Sequence, residues 1–76
     1  MTQRLPVLKP KDVLRALERE GFFVHHATGS HYILEHPQKP NVRITLPFHN
    51  KDLKRRTLAS IIEQAGYTPE EFIKMI

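Results

Sequence analysis

Between Phe22 and Leu46 the sequence carries three strand-like segments separated by links of only a few residues. Parallel neighbours need a crossover of a dozen residues or more, so links this short force each segment to pair antiparallel with the next. The first segment is Phe22-Phe23-Val24-His25-His26-Ala27 and the second is His31-Tyr32-Ile33-Leu34-Glu35-His36. They flank a tight turn, Thr28-Gly29-Ser30-His31, which delivers a histidine onto the start of the second strand. Gly29 is expected to supply a positive φ in that turn, and Ser30 to hydrogen-bond back to the turn's backbone. The third segment, Asn41 to Leu46, alternates, with Val42, Ile44 and Leu46 on one face and Arg43 and Thr45 on the other. It follows a proline-bounded hairpin link, Pro37-Gln38-Lys39-Pro40, and Pro47 cannot donate to a ladder and so ends the sheet.

Helical periodicity brackets this meander. Pro10 suits the first turn of a helix, Asp12 favours its N-terminal end, and Val13, Leu14 and Leu17 recur at helical spacing up to Gly21. Downstream, Thr57 reads as an N-cap before a stripe of Leu58, Ile61, Ile62 and Ala65 that Gly66 closes. Thr68-Pro69-Glu70-Glu71 is a capping box that opens a short last helix expected to pack through Phe72, Ile73 and Ile76. Residues 1–9 read as an irregular lead-in. A sheet with one apolar face needs the helices on that face, which predicts a two-layer α+β sandwich.

A chain of 76 residues is expected to make a single domain over residues 1–76. It has no cysteine, which excludes disulfides and thiolate metal sites. No apolar run approaches the ~20 residues that span a membrane, so the expected location is the cytoplasm. Lys and Arg outnumber Asp and Glu to give a net charge of +4 with histidines neutral, a balance that suits a polyanionic partner such as nucleic acid.

The positive charge is concentrated between Phe48 and Arg56, where His49, Lys51, Lys54, Arg55 and Arg56 precede a helix start. Unpaired amides and the helix dipole there favour a phosphate, and these side chains add to the attraction. A solvated basic loop is the plainer alternative. Among the histidines, a two-residue loop at Thr28-Gly29 would set His26 opposite His31, both on the side of Phe22, Val24 and Ile33. Strict alternation sends His25 and His26 to opposite faces, and four strand residues at ~3.3 Å each keep His31 and Glu35 too far apart for one ion. No spacing matches a metal site, and none is expected. An imidazole can take a proton from an RNA 2′-hydroxyl or give one to a leaving 5′-oxygen near neutral pH. From spacing alone, however, a histidine at a strand edge is a surface residue. Ser30 is not read as a nucleophile, because no carboxylate is placed to orient His31 as in a triad.

The ordered set Glu20-Gly21-Phe22, Gly29-Ser30-His31-Tyr32, His36-Pro37, Leu46-Pro47, Asp52-Leu53-Lys54, Thr57-Leu58, Gln64-Ala65-Gly66-Tyr67 and Glu70-Glu71-Phe72 closely resembles HicA-type toxins of HicA–HicB toxin–antitoxin pairs. The resemblance runs from about Leu5 to the C-terminus. It implies a double-stranded-RNA-binding-like α-β-β-β-α fold used as an endoribonuclease on messenger RNA, with no metal or other cofactor. It implies that His31 is the catalytic histidine, that Gly29 and Ser30 shape its turn, and that a HicB-type antitoxin covers the site in a hetero-oligomer. Lys51, Lys54, Arg55 and Arg56 are then expected to hold backbone phosphates. Two positions depart from the family's pattern: Arg56 stands where glycine often precedes the threonine of the second helix, and Asn50 stands where glycine often follows the histidine matching His49. Two other functions fit the same basic residues, a non-catalytic module for structured RNA and a protein-interaction domain with an acidic partner.

Overall fold

The computed structural model describes residues 5–76; the remainder of the expected lead-in, residues 1–4, lies outside them. Helix α1 (Pro10–Arg19) is followed by strands β1 (Phe23–Ala27), β2 (His31–His36) and β3 (Lys39–Pro47), then by helices α2 (Arg55–Ala65) and α3 (Pro69–Met75). The strands form one antiparallel sheet in the order β1-β2-β3, with the helices packed on one of its faces. This is the α+β, double-stranded-RNA-binding-like two-layer arrangement, α-β-β-β-α with a short C-terminal helix.

The core forms where the predicted apolar faces meet. Leu34, Ile44 and Leu46 of the sheet pack with Val13, Ala16 and Leu17 of α1 and with Leu58, Ile61 and Ile62 of α2, all essentially without solvent contact. Each fully buried aliphatic side chain contributes roughly 1.5–3 kcal/mol relative to exposure, and this sets the sheet's inward face. Residues of opposite parity on β2 and β3 point away from the helices, leaving an outer face that the helices do not cover.

Local chemistry ends the helices much as the sequence implies. Asp12 accepts the Lys9 amide at 3.0 Å in front of α1. Thr68 and Glu71 exchange hydrogen bonds at 2.7 and 3.1 Å, completing the capping box of α3. Gly21 and Gly66 both take positive φ, and after Gly66 the Tyr67 amide closes onto the Ile62 carbonyl at 3.1 Å.

Several expectations need correction. Thr57 is not the cap of α2: the helix starts at Arg55 with Lys54 in the capping position, so Thr57 lies in its third turn position. The cause is tertiary, because buried Leu53 donates its amide to the Leu8 carbonyl at 2.8 Å and delivers the chain early. The β2–β3 link is only Pro37-Gln38, since Lys39 already pairs with His36 and β3 runs longer than expected. Pro40, with no amide to donate, falls where the register shifts between Glu35 and His36. Phe72 of α3 is buried as expected, but Ile76, just past the end of the helix, is exposed.

His36 was not singled out by the sequence as a structural residue, yet it is the one buried polar side chain among the described residues. Its Nε2–H donates to the Glu20 carbonyl at 2.8 Å and its Nδ1 accepts the Gln38 amide at 3.1 Å. Both nitrogens are thereby satisfied in the neutral form, and the ring meets Phe22 edge-on at 4.9 Å. It ties the end of α1 to the far end of β2.

Candidate active site

The turn between β1 and β2 is three residues long, Thr28-Gly29-Ser30, and is not built as expected. Gly29 does not take a positive φ, and a side chain added there would meet nothing within 4 Å. The backbone-bonding residue is Thr28, not Ser30. Thr28 Oγ1 accepts the amides of His31 and Ser30 at 3.0 and 3.4 Å, and it lies 3.2 Å from the His31 carbonyl, to which it donates. The Thr28 amide donates to that carbonyl as well, at 2.8 Å, so the residue before the glycine pins the backbone of His31.

Ser30 is thereby free for another contact. Its Oγ sits 3.0 Å from His31 Nδ1. If the hydroxyl accepts Nδ1–H, the Nε2 lone pair is left facing solvent, and the same bond survives when Nε2 takes up a proton. His31 itself is exposed on the outer sheet face, opposite Pro47 of β3.

That position brings the histidine next to the basic segment. The Phe48 amide donates to the Ser30 carbonyl at 2.8 Å, so residues 48–56 leave the sheet directly beside the turn. Phe48 stacks on Tyr32 with ring centroids 4.1 Å apart and planes 3° from parallel, which stiffens this corner. His49 Nδ1 accepts the Lys51 amide at 3.1 Å and shapes the loop that follows. A groove of about 290 Å³ runs between Pro47 and Thr57, with Lys51 and Lys54 on its walls. Arg55 and Arg56 ride exposed on the first turn of α2 and do not line that groove. Two ion pairs found among the described residues lie elsewhere, both weak surface contacts: Glu35 with His25 at 4.0 Å and with Arg43 at 3.9 Å.

The expected histidine geometry is corrected by a bulge in β1. His26 is opposite Ile33, not His31, because the register shifts between Val24 and His26. Val24 faces inward against Leu34, whereas His26 joins the outer face with Ile33 and His31, away from Phe22. His25, the inserted residue, also reaches Glu35 on that face, so the two adjacent histidines do not diverge as strict alternation implies. Among the described residues no three of His, Asp or Glu converge into a group that could hold a metal ion.

A family model described as the HicA toxin of bacterial toxin-antitoxin systems matches residues 10–67, from the start of α1 to just past the end of α2. That span covers well over half of the chain. The chain belongs to the HicA toxin family. Membership makes it the toxin side of a toxin–antitoxin pair and implies a HicB-type antitoxin as its counterpart. The span includes the whole hairpin with His31 and the basic segment through Arg56. No curated protein matches the chain closely enough to add to this. No helix among the described residues is long and apolar enough to cross a membrane.

Proposed function

We propose that this HicA-family chain is an endoribonuclease that cleaves messenger RNA by acid–base chemistry at His31, without a metal ion, as a single domain acting in the cytoplasm. The observation that carries this reading is a solvent-facing imidazole, fixed through its Nδ1 by Ser30, beside a basic segment that is one backbone hydrogen bond from the same turn. His31 Nε2 removes the proton from a ribose 2′-hydroxyl, and the 2′-oxygen attacks the adjacent phosphorus. RNA thus supplies its own nucleophile, and the protein's task is to position the phosphodiester and move protons. Lys51, Lys54, Arg55 and Arg56 hold flanking phosphates and offset the charge that grows on the reacting one. The HicB-type antitoxin silences the toxin by covering the His31 surface in a hetero-oligomer.

Purified messenger RNA incubated with wild type or His31→Ala in excess EDTA tests this. Wild type is expected to cleave and the variant to lose at least a hundredfold in rate, the scale of one general acid–base group. Equal cleavage by both proteins overturns the role of His31. Salt-sensitive RNA binding by wild type with no cleavage at any enzyme concentration would instead make the chain a non-catalytic RNA-binding module.

A further inference from the structure

The bulge in β1 changes what the outer sheet face can do. With strict alternation from inward-facing Val24, His26 would turn toward the helices; the extra residue at His25 turns it outward instead. Bulges re-aim side chains in this way beside functional sites. His26 then stands opposite Ile33, two residues along β2 from His31 and on the same exposed face. Diagonal neighbours of this kind across an antiparallel pair have Cα atoms roughly 7–8 Å apart.

The other histidines are placed differently, and His49 lies outside the sheet, past the end of β3. His36 is buried and satisfied at both nitrogens, His49 accepts a loop amide, and His25 lies against Glu35. The His26 side chain makes no hydrogen bond or ion pair among the described residues and is exposed. The titratable and charged groups that share its face are His25, Glu35, Arg43 and His31.

Resting on the nuclease reading above, we propose that His26 is the second proton-transfer group of the site, the general acid that complements His31 as general base. Transesterification of RNA needs two proton transfers on opposite sides of one phosphorus. His31 Nε2 takes the 2′-hydroxyl proton as the 2′-oxygen bonds to phosphorus. The bond from phosphorus to the 5′-oxygen breaks with its electron pair on that oxygen, and protonated His26 gives its proton there. The products are a 2′,3′-cyclic phosphate and a 5′-hydroxyl. His31 ends protonated and His26 neutral, and exchange with water resets both. With each ring nitrogen within about 3 Å of its own oxygen, the two rings flank a phosphodiester at a separation that a diagonal pair provides.

The test compares His26→Ala and His31→Ala on two substrates, an ordinary RNA oligonucleotide and the same oligonucleotide with sulfur in place of the bridging 5′-oxygen. A thiolate leaves without protonation, so it does not need the acid. His26→Ala is expected to lose at least a hundredfold in rate on the oxygen substrate and less than tenfold on the sulfur one. His31→Ala is expected to lose heavily on both. Unchanged cleavage of the oxygen substrate by His26→Ala overturns the proposal while leaving the nuclease reading intact. Equal losses by His26→Ala on both substrates also overturn it, reducing His26 to a binding or structural residue. His26→Gln, with an unaltered circular dichroism spectrum, must repeat the pattern to exclude misfolding. Failure of wild type to cleave either substrate removes the nuclease reading itself.

Discussion

Replacing Gly21 with alanine should damage the fold through two separable causes. Gly21 sits at φ +99°, and a Cβ there would lie 2.6 Å from His36 Nε2. The backbone strain alone costs roughly 1–2 kcal/mol for a residue with a side chain. The Cβ also displaces the imidazole from the Glu20 carbonyl, 2.8 Å away, and a hydrogen bond of this kind contributes about 0.5–1.5 kcal/mol. The expected total is ~1.5–3.5 kcal/mol, against a stability of about 4–11 kcal/mol for a chain of 76 residues. Gly66 is the internal control, because its φ is +86° but an added Cβ meets nothing within 4 Å. Gly66→Ala should therefore show the strain without the clash, ~1–2 kcal/mol. Urea unfolding followed by circular dichroism reads both. With a slope near 1 kcal/mol/M, Gly21→Ala should lower the midpoint by about 1.5–3.5 M, exceeding Gly66→Ala by the ~0.5–1.5 M that the lost His36 hydrogen bond adds. Equal losses in the two variants would refute the idea that His36 is a rigid bolt between α1 and β2.

Other substitutions probe the site. Gly29→Ala should change stability by less than ~0.5 kcal/mol and leave RNA cleavage intact, since that glycine uses neither positive φ nor close space; thermal unfolding and a cleavage assay check it. Thr28→Val, which removes the hydroxyl bonded to both backbone groups of His31, should cost ~1–2 kcal/mol and slow cleavage about tenfold, while Thr28→Ser stays near wild type in the same two measurements. Replacing Lys51 or Lys54 by Gln should weaken RNA binding and shallow its dependence on log salt by about 0.7 per lost phosphate contact, as a filter-binding titration would record. His31→Ala should still bind the HicB-type antitoxin, because one exposed imidazole is rarely a whole hot spot; loss of the complex on gel filtration, with the fold intact, would contradict this.

The residues that were legible in the sequence are those whose local pattern and tertiary role agree. The Leu58-Ile61-Ile62-Ala65 stripe, the Thr68 box and the alternation of Ile44 and Leu46 each report burial directly, and the helix–meander–helix order followed from them. What stayed hidden depends on contacts distant in sequence. The start of α2 moved because Leu53 reaches Leu8, which no capping preference reports. The bulge at His25 is a register choice made between β1 and β2; that His26 and His31 share a face was legible, but that they sit diagonally on the outer face, away from Phe22 and Val24, was not. In the turn, Thr28, Gly29 and Ser30 are all turn-forming residues, so composition could not say which one bonds the backbone; the hydroxyl at Thr28 does, and Ser30 is released to His31. The buried role of His36 had one available signal, its strand parity with Leu34 and Tyr32.

The chemistry of the cut ends tests the central claim most directly. If His31 activates the RNA's own 2′-hydroxyl, fragments released by the wild-type protein in EDTA carry a 2′,3′-cyclic phosphate and a 5′-hydroxyl, readable by mass spectrometry. Fragments ending in a 3′-hydroxyl and a 5′-phosphate would mean that water attacked instead, and the histidine account would be contradicted.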